Sequence, residues 1–332
     1  MTSTSTAVAV SFVVALVTGS IARRIGPGIG AMDRPDAALK AHAHPVSWLG
    51  GAAIVGGLAA GLAVIGGLWG WPLPWAATVA IGGAFALGLA DDVLDVPPPL
   101  RLAVQVGLGL LLAAGGLAAD ALPGAVLAWT AAALLFAATL NAVNMVDGMD
   151  GLAGGTAVLS ALGLALAAAR AGHDEAMAVA LVTAAAAAGF LVHNLPPARL
   201  FLGDNGAYAL GAALAVSVLA QARTAAGLVG AATCLGIFLV DLLLAIARRV
   251  AGGVPLTSGD RGHLYDQLLA RGLSPWRTLG VCWIVHVAFV ALGVRVAGAS
   301  TAVALTTVAV AWAVAAAWLV WSGLVTSGAE RR

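Results

Sequence analysis

Charge-free stretches of about 20 residues recur along the whole chain, separated by short polar segments. That is the length an α-helix needs to cross the hydrocarbon core of a bilayer. Ala, Leu, Val and Gly fill these stretches without the every-second-residue alternation of a membrane barrel, so helices are expected. The pattern places spans at roughly 6–22, 48–69, 73–91, 101–119, 124–142, 152–171, 175–193, 206–221, 224–247, 277–296 and 300–325. The expected fold is an all-α membrane protein, a polytopic bundle of about 11 transmembrane helices forming one domain over 1–332. The first run lacks a basic leader and is followed by Arg23-Arg24 rather than a small-residue cleavage site. It reads as a retained helix and not as a signal peptide.

Charge distribution tests this reading. With the N-terminus outside, the cytoplasmic segments are 23–47, 92–100, 143–151, 194–205, 248–276 and the C-terminal tail. Of the basic residues, only Arg170, Arg223 and Arg295 then fall outside, as the positive-inside rule requires. Composition agrees: 61% of residues are hydrophobic and 9% charged, against roughly 25% charged in soluble domains. The net charge of +1 gives no reason to expect nucleic acid. Cys234 and Cys282 stand singly in apolar runs, which argues against a disulfide or a Cys-based metal site. Neither a soluble domain nor an internal repeat is evident. Trp69, Trp71 and Trp75 read as interfacial anchors on the outer side.

Every segment with unusual chemistry falls on the cytoplasmic side. Asp91, Asp92 and Asp95 end the third span before Pro97-Pro98-Pro99. On a helix Asp91 and Asp95 share a face while Asp92 points elsewhere. Clustered carboxylates repel unless a cation or proton neutralises them, so hard-cation or phosphoryl chemistry competes with a plain solvated helix end. In Asn141-Ala-Val-Asn144-Met-Val-Asp147-Gly-Met-Asp150-Gly151-Leu152, Asn144, Asp147 and Asp150 recur every third residue. A continued helix would stack three oxygen ligands there; the alternative is an interhelical turn. In the segment from His193 and Asn194 to Gly206, Asp204 stands beside Gly203 at the start of a helix. Its carboxylate suits a metal and the helix-start N–H groups suit a phosphate, while a structural cap is the bland reading.

The longest inner loop carries Asp260-Arg261-Gly262-His263-Leu264-Tyr265-Asp266-Gln267. Here His263 sits among charges at the membrane surface. Asp241, inside the ninth span, is either functional or half of an ion pair within the bundle. His286 and Asp120 suggest structure only.

Taken in order, these segments resemble the polyprenyl-phosphate N-acetylhexosamine-1-phosphate transferase family, glycosyltransferase family 4. Asp91-Asp92-x-x-Asp95 before the prolines is similar to that family's acidic motif, and Asn141 to Leu152 to its N-x-x-N-x-x-D-G-x-D-G-L pattern. Asn194 to Gly206 resembles N-x-x-P-A-x-x-F-x-G-D-x-G. Upstream, Asp33-Arg34-Pro35 with Lys40, His42 and Gly50-Gly51 resembles the first inner loop. The resemblance covers about 30–280. Asp95 and Asp260-Arg261-Gly262-His263 are closer to the bacterial undecaprenyl-phosphate N-acetylglucosamine branch than to the peptidoglycan-precursor branch, which has Lys at the third acidic position and a run of His. His44, Tyr265 and Asp266 depart from the usual residues of the N-acetylglucosamine branch.

The resemblance implies transfer of a sugar 1-phosphate, N-acetylglucosamine 1-phosphate first, from a UDP-sugar to a polyprenyl phosphate. UMP leaves, and the reaction takes place at the cytoplasmic face of a bacterial plasma membrane. It implies Mg²⁺, with Mn²⁺ able to substitute, held by Asp204 and Asp150. Asp91, Asp92, Asp95 and His263 are the implied catalytic set. Asn144 and Asp147 would meet the uridine and ribose, Arg261 the sugar or diphosphate, Lys40 and His42 would close the site, and Asn141 and Asn194 complete the binding residues. A homodimer is left open, as are a phospho-N-acetylmuramoyl-pentapeptide transferase and, more distantly, a secondary transporter, which would place its acids near mid-membrane on inverted repeats.

Overall fold

The structure, a computed structural model, describes residues 2–33, 44–69, 75–117, 120–255, 262–321 and 323. The chain runs α1 (Thr2–Ile29), β1 (Met32–Asp33), β2 (Val46–Ser47), α2 (Gly50–Trp69), α3 (Trp75–Leu94), α4 (Pro98–Ala114) and α5 (Ala125–Val146). It continues through α6 (Leu152–Arg170), α7 (Asp174–Asn194), α8 (Gly203–Ala220), α9 (Ala225–Thr233), α10 (Gly236–Ala251), α11 (Leu264–Ala270), α12 (Pro275–Val296) and α13 (Thr301–Trp321). The two strands pair antiparallel between α1 and α2, Met32 with Ser47 and Asp33 with Val46.

Punctuation in the sequence sets the helix ends. The proline run stops α3, and α4 then starts with Pro at its first positions, where a missing N–H costs nothing. Ser274 caps α12 ahead of Pro275, and the Thr224 side chain accepts the Gly227 N–H at the start of α9.

Among the described residues, eight helices are long and apolar enough to cross a membrane, or nine if α9 and α10 form one broken span. Two further expected spans correspond to the 17-residue α4 and to α8, whose first turn carries Asp204 and Asn205. The expected single helix over 224–247 is bent by 82° between α9 and α10. At that break the Ile237 N–H, left without an intrahelical partner, donates to His286 Nδ1 at 3.3 Å. His286 Nε2 lies 2.9 Å from Ser160 Oγ.

With lipid as the surrounding solvent, helix association depends on close backbone approach. Small residues supply it: a side chain at Gly57 or Gly189 would strike the backbone of α1, and one at Gly211 the backbone of α5. The deepest core is α8, whose residues Asn205 to Leu219 are all buried. It packs against α2, α3, α5 and α7, so whatever α8 presents at its N-terminal end is held from several sides.

Candidate active site

The segments at the end of α3, at the end of α5 and leading into α8 meet at one end of the bundle. At the end of α3 the Asp91 carboxylate is fully engaged: it accepts the Val96 N–H at 3.0 Å, the Tyr208 hydroxyl at 3.1 Å and the Arg101 guanidinium at 2.5 Å. Asp91 is buried, whereas the Arg101 side chain is 27% exposed. The proline turn between α3 and α4 thus folds a cation back onto the acid ten residues earlier. Asp92, one residue on, faces α8. It accepts the N–H of Asp204 at 3.0 Å, the N–H of Asn205 at 2.9 Å and the Asn205 side-chain amide at 2.5 Å.

This narrows one expectation: the N–H groups of Asp204 and Asn205 at the start of α8 are already taken by Asp92 and are not open to a phosphate. Nor does Asp204 cap its own helix; the cap comes in trans from α3. Asp95 also departs from expectation. The helix stops at Leu94, and Asp95 lies beyond it at φ 50°, exposed; its N–H donates to the Asp91 carbonyl at 3.0 Å, and its side chain makes no hydrogen bond or ion pair among the described residues.

The second motif does not continue as a helix. Helix α5 ends at Val146, Asp147 is its C-cap, and Gly151 takes a left-handed φ of 77° to start α6. The expected stack of three oxygen ligands is therefore replaced by a turn that spreads them. Asn144 donates its amide to Asp204 Oδ1 at 2.5 Å, so it acts as a donor rather than a ligand oxygen. Asn141 donates to Gln105 Oε1 at 2.6 Å and to the Ala137 carbonyl. Asp150 accepts the Ala198 N–H at 2.9 Å, anchoring the loop that follows the cis Pro196–Pro197 bond. Asn194, buried, ties the two turns together by accepting the Gly151 N–H and donating to the Leu200 carbonyl, both at 2.9 Å.

Backbone crowding fixes the rest. The segment before α8 pairs with the start of α2, Gly50 and Gly51 donating to the Phe201 and Leu202 carbonyls. A side chain on Gly51 would collide with Asn205, and one on Gly88 with the backbone of Asp204 and Asn205. Gly203, at φ 71°, sits against the Trp48 carbonyl and Asp92.

Charge accumulates at the centre. Asp147 is held well above the usual carboxylate range, first by loss of hydration and then by the negative charges of Asp204, Asp92 and Asp150. Such a cluster suits a cation. Among the described residues no group of three or more His, Cys, Asp or Glu converges at metal-ligand distance. The donor set fits a hard divalent cation that keeps most of its waters and takes one or two carboxylates.

On the far side of the cluster, His263 Nδ1 lies 2.6 Å from Asp241 Oδ2 on α10, and the ring stacks on Tyr265 with centroids 5.6 Å apart. The Tyr265 hydroxyl is seated against Gly148. Thus His263 reaches the Asp147–Gly148 turn through its own loop. Lys40, His42 and Arg261 lie outside the described residues.

Sequence reasoning missed Arg101 and Tyr208. The signals were present: Arg101 is the first cation after the proline turn, and Tyr208 sits one helical turn after Asp204 in an otherwise apolar helix.

Fold and site define a polytopic membrane enzyme with a carboxylate-rich centre at one end of its bundle. The glycosyl transferase family 4 model matches residues 74–222. A probable undecaprenyl-phosphate N-acetylglucosaminyl 1-phosphate transferase of Bacillus subtilis is 30% identical over 298 residues, 85% of this chain and 83% of the relative. The chain belongs to glycosyl transferase family 4. A decaprenyl-phosphate N-acetylglucosaminephosphotransferase of Mycobacterium tuberculosis is 30% identical over 252 residues, covering 64% of this chain and 61% of the relative. A phospho-N-acetylmuramoyl-pentapeptide-transferase of Moorella thermoacetica is 38% identical over 164 residues, covering 43% and 52%.

Proposed function

We propose that this chain transfers N-acetylglucosamine 1-phosphate from its UDP-sugar to a polyprenyl phosphate, starting a lipid-linked glycan of the bacterial cell envelope. The observation that carries the reading is the convergence of Asp92, Asp147, Asp150 and Asp204 beside Arg101 at one bundle end. The 298-residue relation to the Bacillus subtilis protein supports the choice of sugar.

In this reading an oxygen of the lipid phosphate attacks the phosphorus that bears the sugar. A new P–O–P bond forms, the bond to UMP breaks, and UMP leaves with the electron pair. A phosphate monoester is already largely dianionic at pH 7, its second pKa being about 6, so the nucleophile needs orientation more than deprotonation. The bonds of Asp91 and Asp92 fit that division of labour: Asp91 holds Arg101, and Asp92 holds the start of α8. Arg101 would face a phosphate, and Asp147 and Asn144 line the approach of the nucleotide. Asp204 and Asp150 would hold Mg²⁺, or Mn²⁺ in its place, which supplies charge neutralisation between the two phosphates. Lys40 and His42 would close the site, Arg261 would hold the sugar or diphosphate, and Asp95 stays in the solvated rim.

The membrane placement belongs to the same proposal: N-terminus outside, C-terminus and all motif loops cytoplasmic, with α4 and α8 completing eleven spans.

The test is UMP release by purified protein in detergent with undecaprenyl phosphate and Mg²⁺. UDP-N-acetylglucosamine is compared with UDP-N-acetylmuramoyl-pentapeptide. Release with the first alone supports the reading, release with the second moves the chain to the other branch, and silence with both refutes it. Asp204→Asn should abolish turnover in a folded protein; full activity would refute the metal assignment.

A further inference from the structure

Asp241 is the most deeply buried acid among the described residues, 1% exposed on α10, and the reaction just described gives it no task. Its two oxygens are nonetheless committed. Oδ2 lies 2.6 Å from His263 Nδ1, and Oδ1 accepts the Leu264 N–H at 2.8 Å. We infer that Asp241 is a positioning residue for the transfer, acting through His263.

The geometry supports this in three ways. First, a carboxylate on Nδ1 makes that nitrogen the donor and Nε2 the acceptor nitrogen of the ring; this is how second-layer acids fix imidazole tautomers. Second, the Leu264 N–H bond fixes the backbone at the start of α11, so ring and backbone are aimed together. Third, the parallel stack on Tyr265, 2° between planes, and the Tyr265 hydroxyl against Gly148 carry that alignment to the Asp147 turn. His263 and the start of α11 are joined to the bundle at this point, because α10 itself packs against α5 and α12. A buried carboxylate facing only apolar helix would be costly, and the imidazole offsets that cost.

The inference rests on the transferase reading, with His263 touching the donor or the transferring phosphate. Asp241→Asn keeps the shape and an oxygen for Leu264 but loses the charge. It should lower kcat for UMP release from UDP-N-acetylglucosamine by roughly 10- to 100-fold, with the donor KM little changed. The decisive measurement is the double-mutant cycle. In a His263→Ala background Asp241→Asn should cost nothing further, because the loss passes through the ring. Equal losses in both backgrounds would show a merely structural acid and overturn the inference, as would full activity of Asp241→Asn. Should Asp241→Asn not survive extraction, Asp241→Glu keeps the charge and shifts the contact by one methylene. Its partial loss should likewise vanish beside His263→Ala. Full activity of His263→Ala with a dead Asp204→Asn would overturn the role of Asp241 while leaving the transferase standing; a silent wild type would remove both.

Discussion

Replacing Asp92 by Asn separates two roles that a carboxylate at this site could have. The side chain receives three hydrogen bonds from the first turn of α8, one on Oδ1 and two on Oδ2. An Asn keeps one acceptor oxygen, which at the Oδ2 position retains two of the three bonds without the charge, while its NH₂ group faces the Asp204 N–H in place of Oδ1. Losing one bond to a charged acceptor, about 1.5–3 kcal/mol, and roughly half of each of the other two costs about 3–6 kcal/mol in total. Asp92 is only half-buried, and water replaces part of this, which leaves about 2–3 kcal/mol, near the top of what a helix cap contributes. At about 2 °C per kcal/mol for a long chain, the thermal midpoint in detergent should fall by about 5 °C. Because Asp204 rides on the same turn, a displacement of about 1 Å should also cost on the order of 100-fold in UMP release. Both readouts must move together. An unchanged midpoint with activity lost would refute the capping argument and make Asp92 a group that acts on the substrate.

Two other substitutions probe the same architecture. Gly88→Ala pushes a methyl group into the backbone of Asp204 and Asn205; overpacking of this kind costs about 1–3 kcal/mol, readable as a lowered midpoint, and activity should fall further than stability alone explains. Asn194→Ala strands the Gly151 N–H and the Leu200 carbonyl, a loss of about 3 kcal/mol. It should speed proteolysis of the 195–202 loop, and unchanged protease resistance would count against its role as the tie between the two turns.

Much of the fold was legible in the sequence, because one solvent rule dominates: a helix in lipid must be apolar for its full crossing length. The spans carried by α5, α6, α7 and α12 follow directly from that rule. The bend between α9 and α10 was hidden because no proline marks it; the partner that satisfies the broken backbone is His286, about 50 residues later. Gathering of the motifs at one end was also legible, since alternate loops of a membrane bundle share a face. The direction in which each acid faces was not. Asp91 and Asp92 are neighbours, yet one pairs with Arg101 and the other caps α8. That difference depends on where α4 and α8 arrive, which no local pattern states. The helical reading of Asn144, Asp147 and Asp150 failed because Gly148 and Gly151 permit a turn that spacing alone does not reveal.

The two adjacent acids at the end of α3 also differ in when their partners exist. Asp91 finds Arg101 ten residues along the chain, available as soon as α4 has been made. Asp92 waits for α8, more than a hundred residues downstream. During synthesis from the N-terminus, one carboxylate therefore gains its ion pair and a backbone bond within a local hairpin, with only the Tyr208 hydroxyl still to come, while its neighbour stays hydrated at the membrane surface until most of the bundle has been inserted. The centre cannot exist in any fragment that stops short of α8. Such a fragment holds at most Asp91, Asp92, Asp147 and Asp150 but lacks Asp204 and the arrangement, and so carries no half-built catalyst into the membrane.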